Sequence, residues 1–248
     1  MAKHVAAWFA AIVLAASSAQ AADIRVLASN GVKAAIEALK PQLEKSSGST
    51  LSIDFSTTAT LAERIQKGEA FDVAILTDDA MQALAKAGKV APMQTRLARV
   101  GIGVGYRKGA PKPDVRTAAA VKQALLNAKA IAYTGNGASR PAIDKMIEEL
   151  GIAKQMQAKS HLTAAGAAPA AVAKGEADLV MTLISEILPE PGVELAGPLP
   201  SDFQTYLVFA AAPSPKASSN ANVLSLIKFL KMPAIAPTYS AKGMEVTQ

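Results

Sequence analysis

Four short stretches carry the residue types that could do chemistry in this chain: Ser29-Asn30-Gly31, Ser56-Thr57-Thr58-Ala59-Thr60, Thr77-Asp78-Asp79 and Ala138-Ser139-Arg140. Each follows an apolar, strand-like run and leads into a helix-like one, so each reads as a turn from a strand into a helix. At such a turn the first backbone N–H groups of the helix have no partner inside the helix, and the helix dipole adds a partial positive charge. Hydroxyls and N–H groups that converge there can hold an anion without a formal counter-charge. The candidate ligand-binding residues are therefore Ser29, Asn30, Thr58, Thr77 and Ser139. Arg140 adds a charged fork suited to a carboxylate or phosphate. One such turn is explained by ordinary N-capping. Several in successive strand–helix units favour a binding cleft.

Other chemistries are poorly supplied. The chain has no Cys and two His, one of which (His4) lies in the first few residues. His161 in Lys159-Ser160-His161 reads as a surface or strand-edge residue, and no G-x-S-x-G turn presents a nucleophilic serine. A zinc site lacks ligands. Asp78-Asp79 reads as a pair of acids stabilising a helix start rather than a cation site. Gly101-Ile102-Gly103-Val104-Gly105 alternates along a strand instead of opening a helix, and Gly135-Asn136-Gly137-Ala138-Ser139-Arg140 lacks the Lys-Ser/Thr ending of a phosphate-binding loop. No catalytic residue, metal site or cofactor is expected, and the chain reads as a non-enzyme. The net charge of +6 is spread over 248 residues without a Lys/Arg cluster, which excludes a nucleic-acid partner.

The elements that must position these turns form two α/β sets. Strands at 24–28, 51–55 and 71–76 are each followed by a helix, the pattern of a parallel sheet with crossover helices. Pro41 is expected to kink or shorten the first helix. After the glycine-rich strand 99–107 a second set follows: helix 118–127, strand 130–133, loop 134–139, helix 141–150, an Ala-rich helix at 167–174 and a strand at 178–183. An extended stretch at 203–212 and two closing helices, 222–231 and 233–241, complete the chain.

The first residues read as an address. Lys3-His4 precedes an apolar run at 5–16, and Ala19-Gln20-Ala21 supplies a small-x-small cleavage signal, so residues 1–21 are expected to be a signal peptide. A membrane-spanning helix needs about 20 apolar residues, more than this run provides. An exported chain without cysteine cannot rely on disulfides and must bury a sizeable core.

The stretches 54–65 (DFSTTATLAERI), Gly68 with Phe71-Asp72-Val73-Ala74-Ile75, 172–179 (VAKGEADL) and 239–244 (YSAKGM) resemble the molybdate-binding family of periplasmic solute-binding proteins, of the type II periplasmic binding protein fold, over essentially the whole mature chain. The resemblance implies two α/β lobes, each a mixed or parallel sheet flanked by helices, around a ligand cleft. Lobe 1 would comprise 22–98 and 207–248, and lobe 2 would be 99–206, with crossing strands at 99–107 and 203–212. It further implies a soluble, monomeric periplasmic receptor that cradles a tetrahedral oxyanion such as molybdate or tungstate in neutral donors and serves an inner-membrane ABC permease. The family's second-turn hydroxyl falls on Thr58, and its position after the third strand on Thr77. The helix-start position falls near Ser139, the first-turn serine on Gly31 beside Ser29 and Asn30, and a second-lobe tyrosine on Leu183. A small organic carboxylate gripped by Arg140, or a ligand-sensing subunit of the same fold, are the alternatives; an exported hydrolase is disfavoured. The intact mass of the exported protein is expected to show loss of the first 21 residues, whereas a membrane-bound form retaining Lys3 would overturn the leader assignment.

Overall fold

The computed structural model describes residues 22–247; the leader and its cleavage signal lie outside the described residues. The chain opens with β1 (Ala22–Ser29), a 3-10 turn (Asn30–Val32), α1 (Lys33–Ser47), β2 (Ser49–Ser56), α2 (Thr58–Gln66), β3 (Val73–Thr77) and α3 (Asp78–Lys86). The long β4 (Thr95–Arg107) leads to α4 (Ala118–Asn127), β5 (Ile131–Thr134), α5 (Arg140–Glu149), α6 (Ala153–Lys159), β6 (Ser160–Thr163), α7 (Ala168–Ala173), β7 (Leu179–Leu183), α8 (Ile184–Ile187) and β8 (Val193–Pro198). The chain then returns through β9 (Tyr206–Pro213), α9 (Ala221–Phe229), α10 (Ala236–Ala241) and the short β10 (Glu245–Val246).

The strands form two lobes joined by β4. In the first lobe β1 pairs in parallel with β2 and β3, and β9 is antiparallel to β3. In the second, β5 pairs in parallel with β6 and β7. The first half of β4, to Gly101, pairs with β9; from Ile102 on it pairs with β7 and β8 instead. One strand thus belongs to both sheets. The return passage is the segment 199–205 rather than a strand: β9 itself pairs within the first lobe. Gln204 pins this passage. Its Oε1 accepts from the Ile102 N–H at 2.8 Å, and its Nε2 donates to the Ile102 carbonyl at 3.0 Å.

Each sheet is covered on both faces, so side chains alternate between two apolar layers. On β1, Val26 and Ala28 face α1 and α9, where Ile36, Leu39, Leu43, Val223 and Leu226 are buried. Leu27 faces the opposite way, toward Leu61 and Ile65 of α2 and Met81 and Leu84 of α3. In the second lobe Ile131 and Tyr133 pack with α4 and α5, while Ala132 and Val180 pack with α7 and Ile187.

Several local expectations change. Pro41 does not shorten α1, which runs on to Ser47; the residue lies on the exposed side, where the lost N–H leaves a carbonyl that water can reach. α6, β6, α8 and β8 escape the sequence pattern because they are short and carry no sustained period. The alternating glycines of β4 have a packing reason. A Cβ at Gly103 would lie 2.8 Å from Ile184 Cγ1, and one at Gly105 would lie 2.7 Å from Val180 Cγ1 and 2.9 Å from Val193 Cγ1. Gly105→Ala should therefore destabilise the protein by about 1–3 kcal/mol through overpacking, lowering Tm by about 2–4 °C per kcal/mol. Gly135→Ala, whose Cβ meets nothing within 4 Å, should leave Tm nearly unchanged; equal Tm values for the two variants would remove the packing explanation.

Candidate functional site

In an open α/β sheet ligands collect at the carboxyl ends of parallel strands, where the turns into the helices leave donors unpaired. Here those ends come from both lobes and meet across one seam. The turns after β1 (Ser29, Asn30), β2 (Thr57, Thr58), β5 (Thr134, Gly137, Ala138, Ser139), β6 (Gly166) and β7 (Leu183, Glu186) enclose a cavity of about 10 Å³. That is room for about one water molecule, so any larger ligand requires the lobes to part around it.

The hydroxyls on this wall are held so that they can donate into it. Ser29 Oγ accepts from the Gly31 N–H at 3.4 Å, and Thr58 Oγ1 accepts from the Thr77 N–H at 3.4 Å. A hydroxyl whose lone pair is occupied by an N–H keeps its own proton for another partner. Thr57 instead caps α2: it accepts from the Thr60 N–H at 3.2 Å and donates to Thr60 Oγ1 at 2.9 Å. Ser139 is the N-cap residue of α5, and its side chain makes no capping bond. Ser29, Thr57, Thr58 and Ser139 are all buried. The last turn of α2 is anchored by Arg64, which bonds Glu69 at 2.6 Å and Asp54 at 2.5 Å.

Of the residues singled out in the sequence, the fold brings Ser29, Asn30, Thr58 and Ser139 to the cavity wall, together with Leu183. Thr77 lines the adjoining wider groove rather than the cavity, and its N–H donates to Thr58 Oγ1. Arg140 lies in a wider groove of about 1,050 Å³ that shares Thr58, Gly137 and Ala138 with the cavity. There its Nε donates to Asp144 Oδ1 at 2.7 Å and its guanidinium sits 4.1 Å from the centre of the Tyr133 ring, while Nη1 is buried without a hydrogen-bond partner among the described residues. Gly31 offers no side chain because none fits: a Cβ would lie 2.4 Å from the Phe209 ring and 2.7 Å from Leu183 Cδ1.

Glu186 was not legible as a site residue. Its carboxylate accepts from the Thr182 hydroxyl and from the Leu183 N–H, yet burial pushes its pKa up. The available signal was positional: Leu183-Ile184-Ser185-Glu186 stands at a strand-to-helix turn as Thr77-Asp78-Asp79-Ala80 does. On the far side of Glu186 a second groove of about 360 Å³ carries Lys33, Glu37 and Glu190.

Two hydrogen bonds tie the lobes together beside the cavity. Ser185 Oγ donates to the buried Gly31 carbonyl at 2.6 Å, and Asn136 Nδ2 donates to Thr60 Oγ1 at 3.1 Å. Two sheet-bearing lobes, one shared strand and a donor-lined seam between them define a two-lobe binding protein. The chain belongs to the family described as bacterial extracellular solute-binding protein, whose model matches residues 24–245. It is similar to an aconitate isomerase of Pseudomonas sp, 27% identical over 245 residues covering 95% of this chain and 94% of that protein. Among solved structures it is similar to the periplasmic molybdate-binding protein of Azotobacter vinelandii, with TM-score 0.78 and 18% identity over 91% of this chain and all of that one. PEB3 with L-phospholactate bound superposes with TM-score 0.68 and 16% identity over 90% of this chain and 99% of that one.

Ser185→Ala would leave the buried Gly31 carbonyl unpaired and should destabilise the closed arrangement by about 1–3 kcal/mol. Small-angle scattering should then report a larger radius of gyration than for the wild type; an unchanged radius and unchanged denaturation midpoint would show that this contact does not hold the lobes.

Proposed function

We propose that this protein captures a small organic anion in the cleft between its lobes, in the periplasm and as a monomer, and passes it to an inner-membrane ABC permease. The lobes would divide near 101/102 and within 199–205, where the chain passes between the sheets, instead of near 98/99 and 206/207. The observation that carries the reading is the convergence of hydroxyls and helix-start turns from both lobes on one enclosed space, with Ser29 and Thr58 each left a proton to donate. An anion leaving water must find such donors, and each charge-assisted hydrogen bond contributes about 1.5–3 kcal/mol.

The organic class is favoured over molybdate or tungstate by three features. The cavity continues into two grooves that could receive the rest of a larger ligand. Arg140 and Lys33 stand in those grooves, one on each side. The named relatives include one that acts on aconitate and one solved with L-phospholactate. A thermal-shift screen of carboxylates, phosphorylated acids, sulfate, molybdate and tungstate tests the class. Thr58→Ala should weaken the best ligand by roughly tenfold or more, since about 1.4 kcal/mol is one decade. Arg140→Ala should cost an organic ligand at least as much while hardly affecting a tetrahedral oxyanion. Calorimetry on both variants decides it, and a screen answered by molybdate alone would restore the oxyanion reading.

Glu186 favours one second reading. A double-bond shift in an unsaturated polycarboxylate removes a proton from one carbon and returns one to another, so an isomerase needs a group that can hold a proton beside its substrate. Glu186 stands on the cavity wall where such a group would act. Purified protein incubated with cis-aconitate and followed by proton NMR tests it; unchanged spectra would leave capture without turnover.

A further inference from the structure

Among the described residues, Glu186 is the one titratable side chain on the wall of the small cavity. Its chemistry is at odds with the hydroxyls around it. An ionised carboxylate is an acceptor only, and it would face an incoming anion with like charge; a carboxylic acid keeps an O–H to donate. The Thr182 hydroxyl and the Leu183 N–H both donate to this carboxyl, yet burial outweighs them and raises its pKa. Among the described residues no cation is paired with it. The charged groups that share its outer groove are Lys33 and Glu37 of α1 and Glu190 beyond α8, and Lys33 lies 3.8 Å from Glu37. β7 and the 3-10 turn at Asn30–Val32 carry no charged residue. The charges of β4 and β8 are engaged elsewhere: Arg96 with Asp78, Arg99 with Glu245, Glu194 with Tyr106, and Arg107 beside Gly175.

We propose that the cleft takes up a proton together with its anion, the Glu186 carboxyl accepting that proton from solvent and donating the resulting O–H to a ligand oxygen. The inference rests on the reading that the cleft binds an anion. The only covalent change is the new O–H on Glu186; the ligand keeps all its bonds. The coupling makes capture tighter at lower pH and loosens it as the carboxyl ionises. If Glu186 instead served only to cap α8 by accepting the Leu183 N–H, as in half of a capping box, affinity would not follow its titration.

The test is calorimetry of the wild type and Glu186→Gln with sulfate and with trans-aconitate, from about pH 6 to about pH 9, in two buffers of different ionisation enthalpy. Wild-type affinity should fall as pH rises, by up to about tenfold per unit where uptake is complete. The buffer dependence of the heat should show proton uptake. Glutamine mimics the protonated acid, so the variant should lose both the uptake and the pH dependence that exceeds any titration of the probe itself. Thr182→Val removes a donor that favours the ionised form, and should move the pH response upward even if the glutamine variant fails to fold. Binding that is flat with pH, or a glutamine variant with the wild-type slope, overturns the proton coupling alone. Failure of both probes to bind the wild type at every pH overturns anion capture as well.

Discussion

An anion that leaves water loses a hydration shell, and only several donors converging on one point can replace it. A single helix start cannot supply them. In the proposed function this protein meets the requirement by aiming the carboxyl ends of the parallel strands of two mixed sheets at one seam, so that turns from opposite lobes contribute to the same wall. Everything that keeps the sheets in that opposition serves the site. β4 does so most directly, since it is hydrogen-bonded into both sheets and cannot shift in one without the other.

The same geometry explains why the strongest sequence constraints lie away from the charged residues. Gly103 and Gly105 let α8, β7 and β8 close onto β4, and Gly31 lets Phe209 and Leu183 fill the floor beneath the first turn. Larger residues at these positions would push the turns apart. The side-chain amide of Gln204 stands in for a neighbouring strand at Ile102, where the two sheets meet. Charge plays the smaller part: the Arg64 cluster is partly exposed and fixes the orientation of α2 rather than touching the cavity.

Glu186 gives the site a character that neutral donors alone would lack. A cavity lined only by hydroxyls and N–H groups suits a fully ionised ligand. In the proposed coupling, a carboxyl among them links occupancy to protonation and holds a proton beside the ligand. The two proposed readings, capture and isomerisation, would draw on the same residues; the chain belongs to a solute-binding family and is similar to an aconitate isomerase.

The sequence by itself determined the two-set α/β order, the leader-like start and four of the cavity residues. Strand-to-helix turns are local, and Ser29, Asn30, Thr58 and Ser139 sit within a few residues of apolar runs whose period is plain. It could not decide which turns share a wall. Thr77 has the same local signature as Thr58, yet its N–H is spent on Thr58 and it lines the adjoining groove instead of the cavity. Arg140 has the chemistry of an anion clamp, yet Tyr133 and Asp144 hold it in the adjoining groove. Glu186 lies in a helix too short to read from the sequence, and only the meeting of the lobes brings it, half-buried, to the cavity wall. Local pattern follows from nearest neighbours along the chain. Burial, pairing and protonation follow from what the other lobe brings across the seam, and that was decided only when the two sheets closed on each other.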